Sequence, residues 1–425
     1  MTTTDDLFYE SFDNFCKLGL TQSPFTESPI EPQSKTQSKT LDLIFTGRKN
    51  ELSQVFSLFQ SRERRRILIS GRIGIGKSTF LHEVLSTLSR TRKQMLTVYT
   101  SLAANQDLAT TALIALAQAM PNDEWAQQQL HQMGIPIDRS LKERTTKAGM
   151  KLVAEAELSE KDLPFTKSQH PTVSLGKLIE RAQKQYGDGV LIAIDDLDKH
   201  QDPSTVRKLM HDAQGMLKGR AWFLLTGHPM TGDLLTSERG LFDLQLELKE
   251  LDQPTTYQML INYLNSVRVK NDCKDINDPR SVLPFLPETA KKFCEVSLGK
   301  PRLFNRLGST VLLTATKLQV EIITPDVLEE GLKAAAPNLR LQAALSVQEE
   351  RVRALLQKRG IFSEEISMED LQQLGVRTFS ELFPILERLE EADLAHQLNQ
   401  DDTKAFAPIL LPSTDEELLP NDLEE

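Results

Sequence analysis

Residues 67–79 read ILISGRIGIGKST, and this stretch decides how the rest of the chain is understood. Gly71, Gly76, Lys77 and Ser78 carry the spacing G-x-x-x-x-G-K-[ST]. Glycines let backbone N–H groups close around phosphate oxygens where a Cβ would block the approach. Gly74, Ile75 and Thr79 belong to the same cradle. Lys77 can set its ammonium near β- and γ-phosphates, and the Ser78 hydroxyl can ligate Mg²⁺. The phosphates then lie at the positive end of the helix that starts here.

The flanks fit that reading. Ile67-Leu68-Ile69-Ser70 is an apolar run of strand type. Phe80, Leu81, Val84, Leu85 and Leu88 recur with a helical period. Strand, loop and helix is the order that separates a phosphate loop from a glycine-rich turn without a ligand. A second signal is Val190 to Asp198, VLIAIDDLD. Its apolar run predicts a fully buried parallel strand. Paired carboxylates at its end are costly unless they meet a cation, and Mg²⁺ beside a triphosphate is one.

The chain has 425 residues, enough for two or three domains. Its composition is globular, 39% hydrophobic and 26% charged. No apolar run is long enough to span a bilayer, so no membrane partner is expected. Cys16, Cys273 and Cys294 lie far apart, form no metal-ligand pattern and suit a reducing cytoplasm. A net charge of −10 disfavours coating nucleic acid by bulk electrostatics.

Phe45-Thr46-Gly47-Arg48-Lys49-Asn50-Glu51-Leu52 precedes the phosphate loop. F-x-G-R-x-x-E-L in that place resembles the segment before the phosphate loop in AAA+ and STAND-type P-loop ATPases. The resemblance puts Arg48 beside the adenine of ATP; from the residues alone it is equally a surface cation. It makes Asp195 a Mg²⁺ ligand through water. It makes Asp196 the residue that polarises the attacking water, where many AAA+ proteins carry Glu and the STAND branch often carries Asp-Asp. Thr226, ending the strand AWFLLT, resembles sensor 1. Arg239, just before the strand Phe242 to Leu248, resembles the arginine that reaches a neighbouring subunit's nucleotide; it reads equally well as an exposed loop arginine. Gly299-Lys300-Pro301-Arg302 resembles sensor 2 in the lid of origin-recognition and Holliday-junction-helicase proteins, with Arg302 directed at the γ-phosphate.

The expected fold is an α/β P-loop NTPase three-layer sandwich with a parallel sheet, followed by an α-helical lid and a winged-helix domain. Residues 1–40 read as a flexible tail, although Leu7 to Leu18 holds an apolar segment that can dock as a short helix. Residues 41–250 form the core, with an insertion at about 121–171 in which Trp125 to Met133 reads as helix and Met150 to Leu158 as an edge strand. Residues 251–340 form the lid and 345–412 the winged helix; 413–425 is an acidic tail. The third helix of the winged helix carries Glu381, Glu387, Glu390, Glu391 and Asp393 against Arg388, and the hairpin tip carries Asp401 and Asp402, which repels DNA phosphates. Arg62, Arg64, Arg65 and Arg66 read as a solvated cluster at a strand start. The expectation is an ATP-binding and hydrolysing switch with Mg²⁺. It self-associates through its ATPase domains and regulates a partner protein through the winged helix or the N-terminal segment. The alternatives are a DNA-loading ATPase and a nearly inactive nucleotide-binding scaffold.

Overall fold

The computed structural model describes residues 15–26, 44–60, 65–102, 106–135, 170–197, 203–229, 241–269, 273, 275–400 and 403–412. The chain divides into two units, Pro29–Lys249 and Met1–Ser28 with Glu250–Glu425.

The first unit is built on strands whose apolar residues face both ways. β1 (Arg66–Gly71), β2 (Met95–Ser101), β3 (Gly189–Asp195), β4 (Trp222–Gly227) and β5 (Leu244–Leu248) form one sheet in the order β2-β3-β4-β1-β5. All neighbours are parallel, so every strand ends at the same edge. Parallel pairs need crossover connections, here helical. α1 (Lys49–Leu58) precedes the sheet and α2 (Lys77–Thr91) follows β1. α3 (Leu108–Gln118), α4 (Glu124–Gln132) and α5 (Pro171–Gln185) link β2 to β3, and α6 (Pro203–Asp212) and α7 (Gln214–Leu217) link β3 to β4.

Period-two alternation sorts the strands onto two cores. Under α1 and α2 lie Ile67 and Ile69, Met95 and Tyr99, Leu191 and Ala193, and Trp222 and Leu224. Phe59, just past α1, stacks on Trp222 at 4.3 Å between centroids. The other face buries Leu68, Val98, Ile192, Ile194, Phe223 and Leu225 against α3 and α5. This is the expected three-layer arrangement. α6 and α7 were not foreseen; Val206, Met210, Met216 and Leu217 bury their apolar side. The expected strand at Met150 to Leu158 lies outside the described residues.

The second unit is helical. α8 (Gln253–Ser266), α9 (Pro287–Val296), α10 (Pro301–Lys317) and α11 (Pro325–Ala343) form a bundle. Asp252 and Thr324 cap α8 and α11, each with Pro in the first turn. The expected flexible tail is corrected over residues 15–26. Leu18, Leu20 and Phe25 are buried there. The Phe25 ring lies 5.9, 5.9 and 5.4 Å from those of Tyr263, Phe293 and Phe304. A Cβ on Gly308 would come within 2.6 Å of it. The aromatic floor comes from residues far along the chain, so a local window could not reveal it. Cys294 is buried in the same bundle, where desolvation pushes its thiol up to about 12, so it stays protonated.

α12 (Val347–Arg359), α13 (Met368–Gln373) and α14 (Phe379–Glu391) precede an antiparallel pair, β6 (Ala395–Gln400) and β7 (Thr403–Pro408). Ser346 and Glu349 close a capping box on α12. Leu356, Leu371, Leu382, Leu386, Leu389 and Phe406 share its core. Charged pairs join this module to α10: Lys300 to Glu390 at 3.1 Å, Arg302 to Asp393 at 3.0 Å and Arg306 to Asp393 at 2.9 Å. Among the described residues no helix is long and apolar enough to cross a membrane.

In the first unit, Asp123 caps α4 by accepting the Ala126 N–H at 3.0 Å and pairs with Arg181 at 2.8 Å. Burial pushes its carboxyl up, but the Arg181 bonds and the helix amides hold it below the usual value of 3.8. Asp123→Ala is expected to lose about 2 kcal/mol of unfolding free energy at neutral pH in urea titrations. Because the folded carboxyl is depressed, its stabilisation is present above pH 3.8 and fades as pH falls below that value, so the difference from wild type should narrow in acid.

Candidate functional site

The sheet edge where all strands end collects the predicted chemistry. β1 runs into the loop before α2, and the loop conformation demands its glycines. Gly74 and Gly76 have φ of 79° and 95°, in the left-handed region that other residues avoid. A Cβ on Gly71 would lie 2.8 Å from the Ile75 side chain and 3.0 Å from the Leu248 carbonyl. Ile75 is buried and anchors the turn. Gly76 leaves the start of α2 without a side-chain cap, so first-turn N–H groups are open to an anion. Lys77, 7% exposed, donates to the carbonyls of Gly71 at 2.8 Å and Arg72 at 3.2 Å. Ser78 and Thr79 follow in the first turn, half-buried.

Arg48, placed beside the adenine by resemblance, reaches the phosphate loop through its guanidinium. Its guanidinium pairs with Glu51 at 3.3 Å and donates to the Ile75 carbonyl at 3.5 Å and to the Lys249 carbonyl. It braces the phosphate loop against α1 and the chain after β5.

Asp195 ends β3 and is 1% exposed. Its Oδ1 accepts from the Thr226 hydroxyl and, at 3.1 Å, from the Asp196 N–H. The same N–H also donates to Thr226 Oγ1 at 3.1 Å. Oδ2 accepts from the Tyr99 hydroxyl at 3.0 Å. Thr226 therefore orients Asp195, because β4 sits next to β3 and brings the two side chains level. Asp196 is half-buried with φ 60°, a left-handed conformation that turns its side chain out of the strand's alternation. Arg302 belongs to the helical unit, where it donates to Asp393 and to the Glu391 carbonyl. Arg239 lies outside the described residues. Arg65 and Arg66 pair with Asp243, as a structural cluster would.

Tyr99 and His82 were missed. The His82 ring, 2% exposed on α2, lies 4.3 Å from that of Tyr99. A buried histidine one turn beyond the phosphate loop was the available signal, but nothing in the sequence pairs it with β2.

The donor set fits Mg²⁺ with a nucleoside triphosphate. A buried carboxylate is met by hydroxyls and an amide, and the Ser78 hydroxyl follows the glycine loop: hard oxygen donors of few protein ligands, as Mg²⁺ prefers when phosphates complete its shell.

Sheet order, loop and acidic strand end define a P-loop α/β nucleotide-binding fold. The model of the AAA ATPase domain family matches residues 44–220, so that part of the chain is similar to AAA ATPase domains. The Aeropyrum pernix ORC2 protein, solved in ADPNP–ADP complexes, has the same fold at 14% identity and TM-score 0.51, covering 93% of this chain and 95% of that one. The Aeropyrum pernix ORC1 protein in complex with DNA aligns at 11% identity and TM-score 0.47, covering 87% and 90%. No curated protein matches the chain.

Lys77→Ala removes the loop's cation. Titration of a fluorescent ATP analogue should show affinity reduced about 10- to 100-fold or more; wild-type affinity in a folded variant would refute the site.

Proposed function

We propose that the chain is an ATP-binding and ATP-hydrolysing switch. One observation carries this reading: a glycine-shaped loop with a buried lysine lies at the same sheet edge as a buried aspartate held by hydroxyl donors. Lys77 exchanges the carbonyls of Gly71 and Arg72 for phosphate oxygens, which are stronger acceptors. The N–H groups from Gly74 to Thr79 bind the remaining phosphate oxygens. Ser78 and, through water, Asp195 would hold Mg²⁺, which would supply neutralisation of the phosphate charge. Asp196 accepts a hydrogen bond from the attacking water and aligns it with the γ-phosphorus. Arg239 of a neighbouring copy completes the site on self-association. Arg302 contacts the γ-phosphate only in a state in which it has left Asp393. The switch acts in the cytoplasm on a partner protein through the winged-helix-like C-terminal module.

A second reading, a DNA-loading ATPase, draws support from the ORC2 fold spanning 93% of the chain. The acidic composition of α14 opposes it, since Glu381 and Glu387 repel phosphates, whereas Glu390 is taken up by Lys300 and Glu391 by Arg388.

Asp196→Asn should keep ATP binding while phosphate release falls about 10²- to 10⁴-fold; unaltered turnover removes Asp196 from the chemistry. A gel shift with duplex DNA and ATP across a salt series separates the two readings. The switch predicts no shift at low salt, and a steep salt slope supports DNA loading.

A further inference from the structure

Tyr99 is level with Ala193 of the adjoining strand, two residues before Asp195. Ala193 has no side chain beyond Cβ, which leaves the phenol room to lean along β3 and reach Asp195 Oδ2. The His82 ring backs it at 4.3 Å with 40° between planes. Tyr99 is 8% exposed, so it is held on both sides.

A carboxylate offers about four acceptor directions. On Asp195, Thr226 and the Asp196 N–H use Oδ1, and Tyr99 uses one direction of Oδ2. What remains is a single lone pair on Oδ2. Magnesium keeps a strict octahedral shell, so the direction of that lone pair decides whether a water of the shell can be bonded. Ordinary sequence signals mark the carboxylate but not the hydroxyl that sets its angle.

We propose that Tyr99 is a positioning residue of the magnesium subsite, its hydroxyl fixing the Asp195 carboxylate so that one Oδ2 lone pair meets the metal's water shell. This rests on the Mg²⁺–ATP reading above. Without the hydroxyl, Oδ2 loses its donor and the carboxylate turns about χ2. Lys77 and the loop amides keep their hold on the nucleotide.

The test is binding of a fluorescent ATP analogue in EDTA and across a Mg²⁺ titration. Wild type is expected to bind more tightly with Mg²⁺. Tyr99→Phe should need roughly tenfold more Mg²⁺ for half-saturation, with affinity in EDTA changed by less than about twofold. In an Asp195→Asn background the same substitution should have no further effect, because Tyr99 acts through that carboxylate. An equal further loss there marks a merely structural tyrosine and overturns the proposal. Tyr99→His, a smaller ring whose N–H is set back from the carboxylate, gives the same readout should the phenylalanine variant not fold. Unchanged Mg²⁺ dependence in either folded variant overturns the proposal alone. A wild type that binds no nucleotide overturns the Mg²⁺–ATP reading and this inference with it.

Discussion

Asp195 is buried at the end of β3, and a buried carboxylate costs several kcal/mol unless donors meet it. Much of the first unit's organisation answers that demand. β4 lies next to β3 and supplies Thr226; β2 lies on the other side and supplies Tyr99. The backbone turns left-handed at the following residue, and its N–H closes on the same oxygen. The metal-facing edge is thus a neutral-donor cage around one charge, with the phosphate loop's lysine two strands away in the sheet order.

The phosphate loop answers a different constraint. Its residues make a concave row of amides only if two positions accept positive φ and one tolerates a close backbone approach. Ile75 pins the turn from below and Arg48 from the side. The cradle is therefore shaped by the protein itself rather than by its ligand.

What was legible in the sequence was what is local. The loop spacing, the apolar runs of β1, β3 and β4, and the Pro-started helices α8 to α11 declare themselves within short windows, because glycine geometry, alternation and capping are short-range effects. Contacts fixed by strand order were not legible. Thr226 resembles sensor 1 by its place at a strand end, but its bond to the neighbouring strand's aspartate follows from strand order alone. The hydrogen bonds of Arg48, which span from Glu51 to Lys249, join residues too far apart in the chain for a short window to show. Tyr99 carried no motif at all. The Ser- and Pro-rich composition around residues 21–40 masked the packing of Phe25, whose ring partners Tyr263, Phe293 and Phe304 lie far along the chain.

Arg302 and Arg306 share Asp393, which is 1% exposed and sits at φ 60° between α14 and β6. Lys300 meets Glu390 one turn away. Removing one partner of such a buried pair typically costs about 3–5 kcal/mol. α10 and the hairpin module are therefore pinned at three points, like two arms keyed to one axle. The C-terminal module is geared to the bundle rather than tethered to it.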